Sequence, residues 1–340
     1  MAETTHLQVF PGATWTASNG RHVQAHGGGF LKVGATWYWH GEDKTEDTCF
    51  QNINCYSSTD LVQWKYEGPV LSRQGSGTQL IAANVRYQRP IGLRFYELSN
   101  DYLSVTKMLH LFPEHLESPA MIKRNGIYCL LASQLTSREL NDDIYMTSTS
   151  LTGPWEPWKL FAESRTATYG SQVTFILDLG LSVLYMGDRW EYPPLPRSTY
   201  VWLPLSINDQ TVTLKNIDSF VLDIASGEAR SATPSTKYKL DNENATIASK
   251  VTFETRVTVS RLKLAIQYTS SFEKEQNLVV AAEGVKCDVA FLPTATPDTL
   301  AVTTLHIRGE TPPGKHSFEA VEQGVGYSGL SVRGLVVPNV

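Results

Sequence analysis

A spacing that recurs three times along the chain limits its fold more than any other feature. One unit runs Lys32-Val-Gly-Ala-Thr-Trp-Tyr-Trp39 and continues in Cys55-Tyr-Ser-Ser-Thr-Asp-Leu-Val-Gln-Trp64. A second runs Lys123-Arg-Asn-Gly-Ile-Tyr-Cys-Leu-Leu131, then Tyr145-Met-Thr-Ser-Thr-Ser-Leu-Thr-Gly-Pro-Trp155. A third runs Leu179-Gly-Leu-Ser-Val-Leu-Tyr-Met-Gly187, then Tyr200-Val-Trp-Leu-Pro-Leu205. From turn glycine to leucine the distance is 27 residues for Gly34–Leu61 and 25 for both Gly126–Leu151 and Gly180–Leu205. Each unit reads as a hairpin, a loop and an outer strand whose Trp or Leu packs on the next unit. A lone four-stranded sheet cannot bury both faces, so such units close into a β-propeller. An ordinary β-sandwich with coincidental turn spacing is the competing reading.

Local composition agrees with strands. Apolar stretches are short and rich in β-branched and aromatic residues, with Gly, Pro, Asn and Asp between them, and no 3.6-residue period lasts beyond two turns. The blade count falls short, however. Blades take about 40–50 residues, so five need roughly 250, and only about 225 precede a change of character near Ser231. The shortage is local: between Trp64 and Glu117 the only further outer-strand fragment is Phe95–Val105. From Ser231 onward come alternating runs such as Lys250-Val-Thr-Phe-Glu-Thr-Arg-Val-Thr-Val259 and Arg261-Leu-Lys-Leu-Ala-Ile-Gln-Tyr268. Five or more strands in about 110 residues without long helices predict a β-sandwich. The expected architecture is all-β: a propeller over residues 8–228, truncated internally near 92–93, and a sandwich over 231–340.

Charge and hydropathy exclude several classes. The net charge of −5, with no basic block, argues against a nucleic-acid partner. No apolar run approaches the roughly 20 residues that span a bilayer. The stretch Met1-Ala-Glu-Thr-Thr-His-Leu7 lacks the charged start and apolar run of a signal peptide. Cys49 and Cys55 are close enough in sequence to bridge across a loop, which spacing alone does not decide, whereas Cys129 and Cys287 read as buried thiols. Without a CxxC pair or HExxH motif, a zinc site has no support. Asn244-Ala-Thr246 is a glycosylation sequon that matters only in a secreted protein.

Six stretches carry a resemblance. They are Gln24-Ala-His-Gly-Gly-Gly-Phe-Leu-Lys-Val-Gly34, Trp39-His-Gly-Glu-Asp-Lys44, Cys55-Tyr-Ser-Ser-Thr-Asp-Leu61, Leu116-Glu-Ser-Pro-Ala-Met-Ile-Lys-Arg-Asn-Gly126, Tyr169-Gly-Ser-Gln-Val-Thr-Phe175 and Tyr185-Met-Gly-Asp-Arg-Trp190. In content and order they resemble glycoside hydrolase family 43, within it the exo-β-1,3-galactanase-like group. The C-terminal part resembles a divergent family 35 carbohydrate-binding module through Val289-Ala-Phe-Leu-Pro-Thr294, Gly326-Tyr327 and Val336-Val-Pro338. The resemblance implies a five-bladed propeller with a central active site, inversion at an anomeric carbon, and two groups about 6.5–9.5 Å apart. It also implies an oligosaccharide or polysaccharide partner, galactan by preference, an extracellular setting, a monomer and no cofactor. Calcium is not expected, because the Tyr-Glu-Ala-Glu start of calcium-binding relatives reads Tyr238-Lys-Leu-Asp241.

Carried over residue by residue, the resemblance makes Glu117 the general acid; read locally, it is a surface Glu beside a turn. No Asp or Glu occurs from Thr4 to Gly41, where family 43 normally places its base. The galactanase-like group shares that lack and implicates a Gln in holding the water, which here is Gln172; the plain reading is a Gln bonded within a strand. A neutral amide is a poor base, so its expected role is to orient the water. At Tyr87-Gln-Arg-Pro90 the group has Glu before Arg-Pro, and this chain has Gln88, which cannot supply a charge to raise the acid's pKa. After Gly92 relatives carry on the order of 70 further residues, at the place where the repeat count falls short. Glu42, Thr136, Asp188, Trp190 and His26 are the candidate sugar-contacting residues. Each has a plainer reading: a solvated loop acid for Glu42, a blade-closing role for Asp188 and Trp190, and a satisfied core histidine for His26. At Thr136 the group's following Gly-Trp is replaced by Ser-Arg. Two other functions stay open: a catalytically inactive carbohydrate-binding protein or incomplete gene product, and an arabinofuranosidase- or xylosidase-type hydrolase.

Overall fold

The computed structural model describes residues 7–72, 92–100, 104–136, 139–232, 236–239, 250–255, 258–260, 262–282, 285–296, 299–307, 310–320 and 330–337. Gln88, the Asn244 sequon and Gly326-Tyr327 lie outside the described residues. The chain is all-β: the only helical pieces among those residues are Ala167–Gly170 and Leu195–Arg197. No helix among them is long and apolar enough to cross a membrane.

Strand β1 (Leu7–Val9) is followed by a four-stranded antiparallel sheet of β2 (His26–Val33), β3 (Thr36–Glu42), β4 (Asn52–Ser58) and β5 (Lys65–Ser72). A lone hairpin follows, β6 (Arg94–Leu98) with β7 (Val105–Leu111). The next four-stranded sheet holds β8 (Leu116–Arg124), β9 (Ile127–Gln134), β10 (Ile144–Ser148) and β11 (Lys159–Leu160). Another holds β12 (Gln172–Asp178), β13 (Val183–Arg189), β14 (Thr199–Asn208) and β15 (Thr211–Leu214). Strands β16 (Phe220–Asp223) and β17 (Glu228–Ser231) then pair back onto β1, with Leu7 opposite Leu222.

All three turn glycines sit where the repeat requires them. Gly34, Gly126 and Gly180 have φ of 60°, 82° and 92° and close the β2–β3, β8–β9 and β12–β13 hairpins. Asn125-Gly126 puts both central residues at positive φ, the backbone a two-residue hairpin turn demands. The leucines are less equivalent than their spacing implies. Leu205 lies inside a third strand, whereas Leu61 and Leu151 lie in the turn following one. Leu61 is buried there at φ 60°, so its turn, not an outer strand, carries the packing contact.

In each full sheet the first strand faces the neighbouring sheet: β12 packs between β8 and β2. Aromatic rings fill the seam between the first and last of these sheets. Trp39 meets Tyr200 at 4.6 Å and Trp64 at 5.2 Å, Trp15 meets Trp202 at 4.5 Å, and Phe30 meets Phe175 at 5.6 Å. A buried ring of this size removes about 150–250 Å² from water, worth at most roughly 4–6 kcal/mol. Gly41 lets β3 lie tightly against the Ala25 backbone, which a Cβ there would meet at 2.1 Å.

Beyond Ser231 the strands form two further four-stranded antiparallel sheets. The strands of this part are β18 (Thr236–Lys239), β19 (Lys250–Thr255), β20 (Val259–Ser260), β21 (Lys263–Ser270), β22 (Gln276–Ala282), β23 (Val285–Phe291), β24 (Ala301–His306), β25 (Glu310–Thr311), β26 (Gly314–Ala320) and β27 (Leu330–Val337), of which β20 and β25 stand apart from the two sheets. One sheet has the order β18-β27-β21-β24, the other β19-β26-β22-β23, and β20 pairs with β25. Ile266, Tyr268 and Leu335 of the first share a core with Val280, Phe291 and Phe318 of the second. No disulfide joins exposed Cys49 to buried Cys55. Cys287, expected to be buried, is half-exposed, because β23 begins at the surface before turning inward at Val289.

Candidate active site

Each innermost strand opens with a candidate residue and then breaks register. On β2 the irregularity lies between His26 and Gly29, with Gly27 at φ 59°. On β8 it lies between Glu117 and Ala120, with Ser118 at φ 50°. On β12 it lies between Val173 and Phe175, just after Gln172. Bulges bend a strand and re-aim its side chains, and here three of them turn side chains toward one another at one end of the packed sheets.

Gln172 Nε2 donates to Glu117 Oε1 at 2.9 Å, and Trp190 Nε1 donates to Gln172 Oε1 at 2.9 Å. An indole can only donate, so the amide orientation is fixed: its oxygen faces Trp190 and its nitrogen faces the carboxylate. Behind Trp190 the His26 ring stands 5.1 Å away, stacked on its other side against Tyr200 at 4.8 Å. Asp188, opposite Gln172 in the register, holds His26 Nδ1 at 3.3 Å and accepts from the Gly27 amide at 2.6 Å. Glu117, Gln172, Trp190, His26 and Asp188 therefore form one connected set.

Within that set the roles separate by depth. Glu117, Gln172 and Trp190 are partly exposed, whereas His26 and Asp188 are each only 1% exposed. His26 and Asp188, both expected among the sugar-contacting residues, are buried here: the His26 ring packs against Trp190, and Asp188 holds His26 and the Gly27 amide. At 2.9 Å, Glu117 and Gln172 also stand closer than the separation of an inverting pair.

Two candidates stand outside the set. Glu42 ends β3 opposite His26, and its carboxylate pairs with Lys44 Nζ at 2.6 Å. Thr136 lies in the loop after β9, where its hydroxyl donates to Glu139 O at 2.8 Å and accepts from Asn141 Nδ2 at 2.7 Å. Gln88 falls outside the described residues. Among those residues no cluster of three His, Cys, Asp or Glu side chains is arranged to hold a metal.

A supporting residue went unnoticed in the sequence. Asp143 is buried, and its Oδ2 accepts from the Val173 amide at 2.8 Å and the Tyr185 hydroxyl at 3.2 Å. Its own amide donates to Thr168 Oγ1 at 2.7 Å. Ala167, Thr168 and Tyr169 all lie at positive φ, so this left-handed segment, pinned through Thr168 and Asp143, delivers Gln172 to the site. Burial pushes the Asp143 carboxyl up to about 7. Only the bare run Asn141-Asp142-Asp143 marked the position, and that reads as a solvated loop.

Among solved structures, an exo-β-1,3-galactanase from Phanerochaete chrysosporium, crystallised with β-1,3-galactotriose, matches with a TM-score of 0.64 at 22% identity. The match covers 97% of this chain and 99% of that one. An exo-β-1,3-galactanase from Clostridium thermocellum matches with a TM-score of 0.59 at 20% identity, covering 96% and 99%. This chain has their fold. A β-1,3-galactosidase described as GH43, crystallised with galactodeoxynojirimycin, matches with a TM-score of 0.52 at 22% identity, over 62% of this chain and 99% of its own. No family model matches the sequence, and no curated protein does. Against this galactanase fold, the connected set lies where the innermost strands of three sheets open.

Proposed function

We propose that the chain is an inverting glycoside hydrolase that removes terminal galactose from β-1,3-galactan. The observation that carries this reading is the Trp190–Gln172–Glu117 chain of hydrogen bonds at the mouth of three bulged inner strands, in a fold shared with exo-β-1,3-galactanases. Glu117 is the one carboxyl of the set that is partly exposed, as a general acid must be to reach a leaving oxygen. Gln172 is a neutral amide and takes up no proton. Its Oε1 keeps one lone pair free of Trp190 and accepts from a water, turning that water toward the anomeric carbon; the proton the water loses on attack passes to solvent, while Glu117 gives its own to the leaving oxygen. Asp188 and His26 act behind it by holding Trp190, and Glu42 with Lys44 borders the same strand ends.

The same reading treats the first part as a five-bladed propeller with incomplete second and third blades, and the part beyond Ser231 as a β-sandwich of carbohydrate-binding type. Three complete sheets plus the lone β6–β7 hairpin favour that description. So does the GH43 galactosidase, which spans only 62% of this chain. We take the protein to act as an extracellular monomer on a glycan.

A second reading, carbohydrate binding without turnover, draws support from the direct Glu117–Gln172 bond and from Gln88, where a carboxylate would tune the acid. One experiment separates the two. Purified protein is incubated with β-1,3-galactotriose and galactose is measured against a buffer control, with the first-formed anomer read by NMR. Hydrolysis gives α-galactose that Glu117→Gln abolishes, a loss of about 10²–10⁴-fold for a general acid. Binding with no galactose above the control rejects the hydrolase and supports the second reading.

A further inference from the structure

A cleft of about 840 Å³ lies between the first sheet and the C-terminal sheets, and no member of the Glu117 set lines it. One wall is a row across β3, β4 and β5, Tyr38 beside Ser57 and then Lys65, with Glu67 bonded to the Ser57 hydroxyl; the other is the start of β23 and the end of β24. Sites for small ligands concentrate at such junctions and occupy about 300–1,000 Å³.

Backbone bonds hold the walls at a set distance. The Thr14 amide donates to Val302 O at 2.8 Å, the Thr304 amide donates to Thr14 O at 3.2 Å, and the Ala290 amide donates to Thr16 Oγ1 at 3.0 Å. The His22 amide adds a bond to Glu275 Oε1 at 3.0 Å. Beneath them Lys263 is fully buried under the Trp15 ring, 5.3 Å from its centroid. The cleft is therefore preformed and does not depend on the two parts closing around a ligand.

Its chemistry selects a ligand class. Charges on the lining nearly cancel, Asp60, Glu67 and Asp288 against Lys65 and Lys286, which disfavours both a polyanion and a polycation. Serine and threonine hydroxyls interleave with these groups, and Tyr38 offers a ring edge or face. Neutral, hydroxyl-rich chains satisfy such a surface by hydrogen bonding while resting a C–H face on the ring. Hydrolysis is not built in: Glu67 is tied to Lys65 at 2.8 Å and Ser57 at 2.6 Å, and Asp60 accepts from the Val62 and Gln63 amides.

We propose that this cleft is a second, non-catalytic site for a short neutral oligosaccharide, holding the glycan whose end is trimmed at Glu117. It rests on the glycan reading given above. The test is calorimetric titration of β-1,3-galactotriose into Glu117→Gln and into Glu117→Gln carrying Tyr38→Ala and Glu67→Gln. Two binding events are expected in the first and one in the second, with galactose release by Tyr38→Ala/Glu67→Gln on the Glu117 background matching the parent. Glu67→Gln alone, whose side chain is surface-exposed, serves as the variant that folds regardless, and it is expected to weaken one event only. An unchanged number and strength of binding events in all three proteins overturns the cleft site. Absence of galactose release from the parent overturns the hydrolase reading and leaves the cleft result intact, so the two failures are distinguishable.

Discussion

Replacing Lys263 with Met changes how stability depends on pH, and by a predictable amount. Lys263 is fully buried between the two parts of the chain, with the Trp15 ring 5.3 Å away. Desolvation lowers its ammonium from 10.5 to about 7, opposed by the charge of Asp60. Asp60 itself is held by the Ser58 hydroxyl and the Val62 and Gln63 amides, so it keeps donors when the lysine is gone. Between pH 7 and 10.5 the unfolded chain binds a proton at this lysine that the folded chain has released, so stability rises with pH across that window. Between pH 7 and 9 the gain comes to about 2 kcal/mol. The upper limit is chosen because Cys129, pushed up to about 12 by burial, and the buried tyrosines begin to matter above it. Urea unfolding of the parent and of Lys263→Met at pH 7 and pH 9, followed by tryptophan fluorescence, measures the difference. The parent should gain about 2 kcal/mol more than the variant over that interval, and the variant should be the more stable of the two at pH 7, since a buried charge gives way to a packed apolar chain. Equal gains in the two proteins would refute the reasoning.

Three further outcomes follow from the site. Gln172→Ala removes the amide proposed to orient the water and should lower kcat by about 10²-fold with little change in KM; a rise in KM alone would assign Gln172 to sugar binding. Trp190→Phe keeps the ring against His26 but loses the N–H that fixes the Gln172 amide, so kcat should fall while the melting temperature stays put, and a destabilised protein with unaltered kcat would contradict that role. Asp143→Asn tests the buried carboxyl, which titrates near 7 when folded against 3.8 in its ordinary state. The parent should lose about 3 kcal/mol between pH 4 and 7 as the unfolded chain releases this proton first; a variant with the same slope would show that Asp143 does not set it.

Much of the fold was legible because turns leave sharp marks. Gly34, Gly126 and Gly180 each adopt a positive φ that a side chain resists, so their spacing located three hairpins. Register beyond the turn was not legible: Leu61 and Leu205 look equivalent by count, yet one packs from a turn and the other from a strand. At the site, Glu117 and Gln172 stood out only through resemblance, since their contact spans 55 positions and depends on bulges that no local pattern announces. His26 read equally as a group for substrate or a core histidine, and the partners that bury its ring, Tyr200 and Trp190, lie 174 and 164 positions away. Asp143 was hidden for the opposite reason: burial, which gives it its role, is set by Thr168, Val173 and Tyr185 on other segments.

The pairing of β1 with β16 has a consequence for the order in which the molecule is made. Leu7 finds Leu222 and Thr14 finds Thr303, so this segment leaves the ribosome well before the strands that partner it. At about 5–20 residues per second it waits roughly 10–40 s for β16 alone. Until then Val9 and Trp15 have no permanent cover, and the segment that ties the sheets together is exposed to competing strands and proteases. Substitutions in this segment therefore act during synthesis, before any finished protein exists to assay.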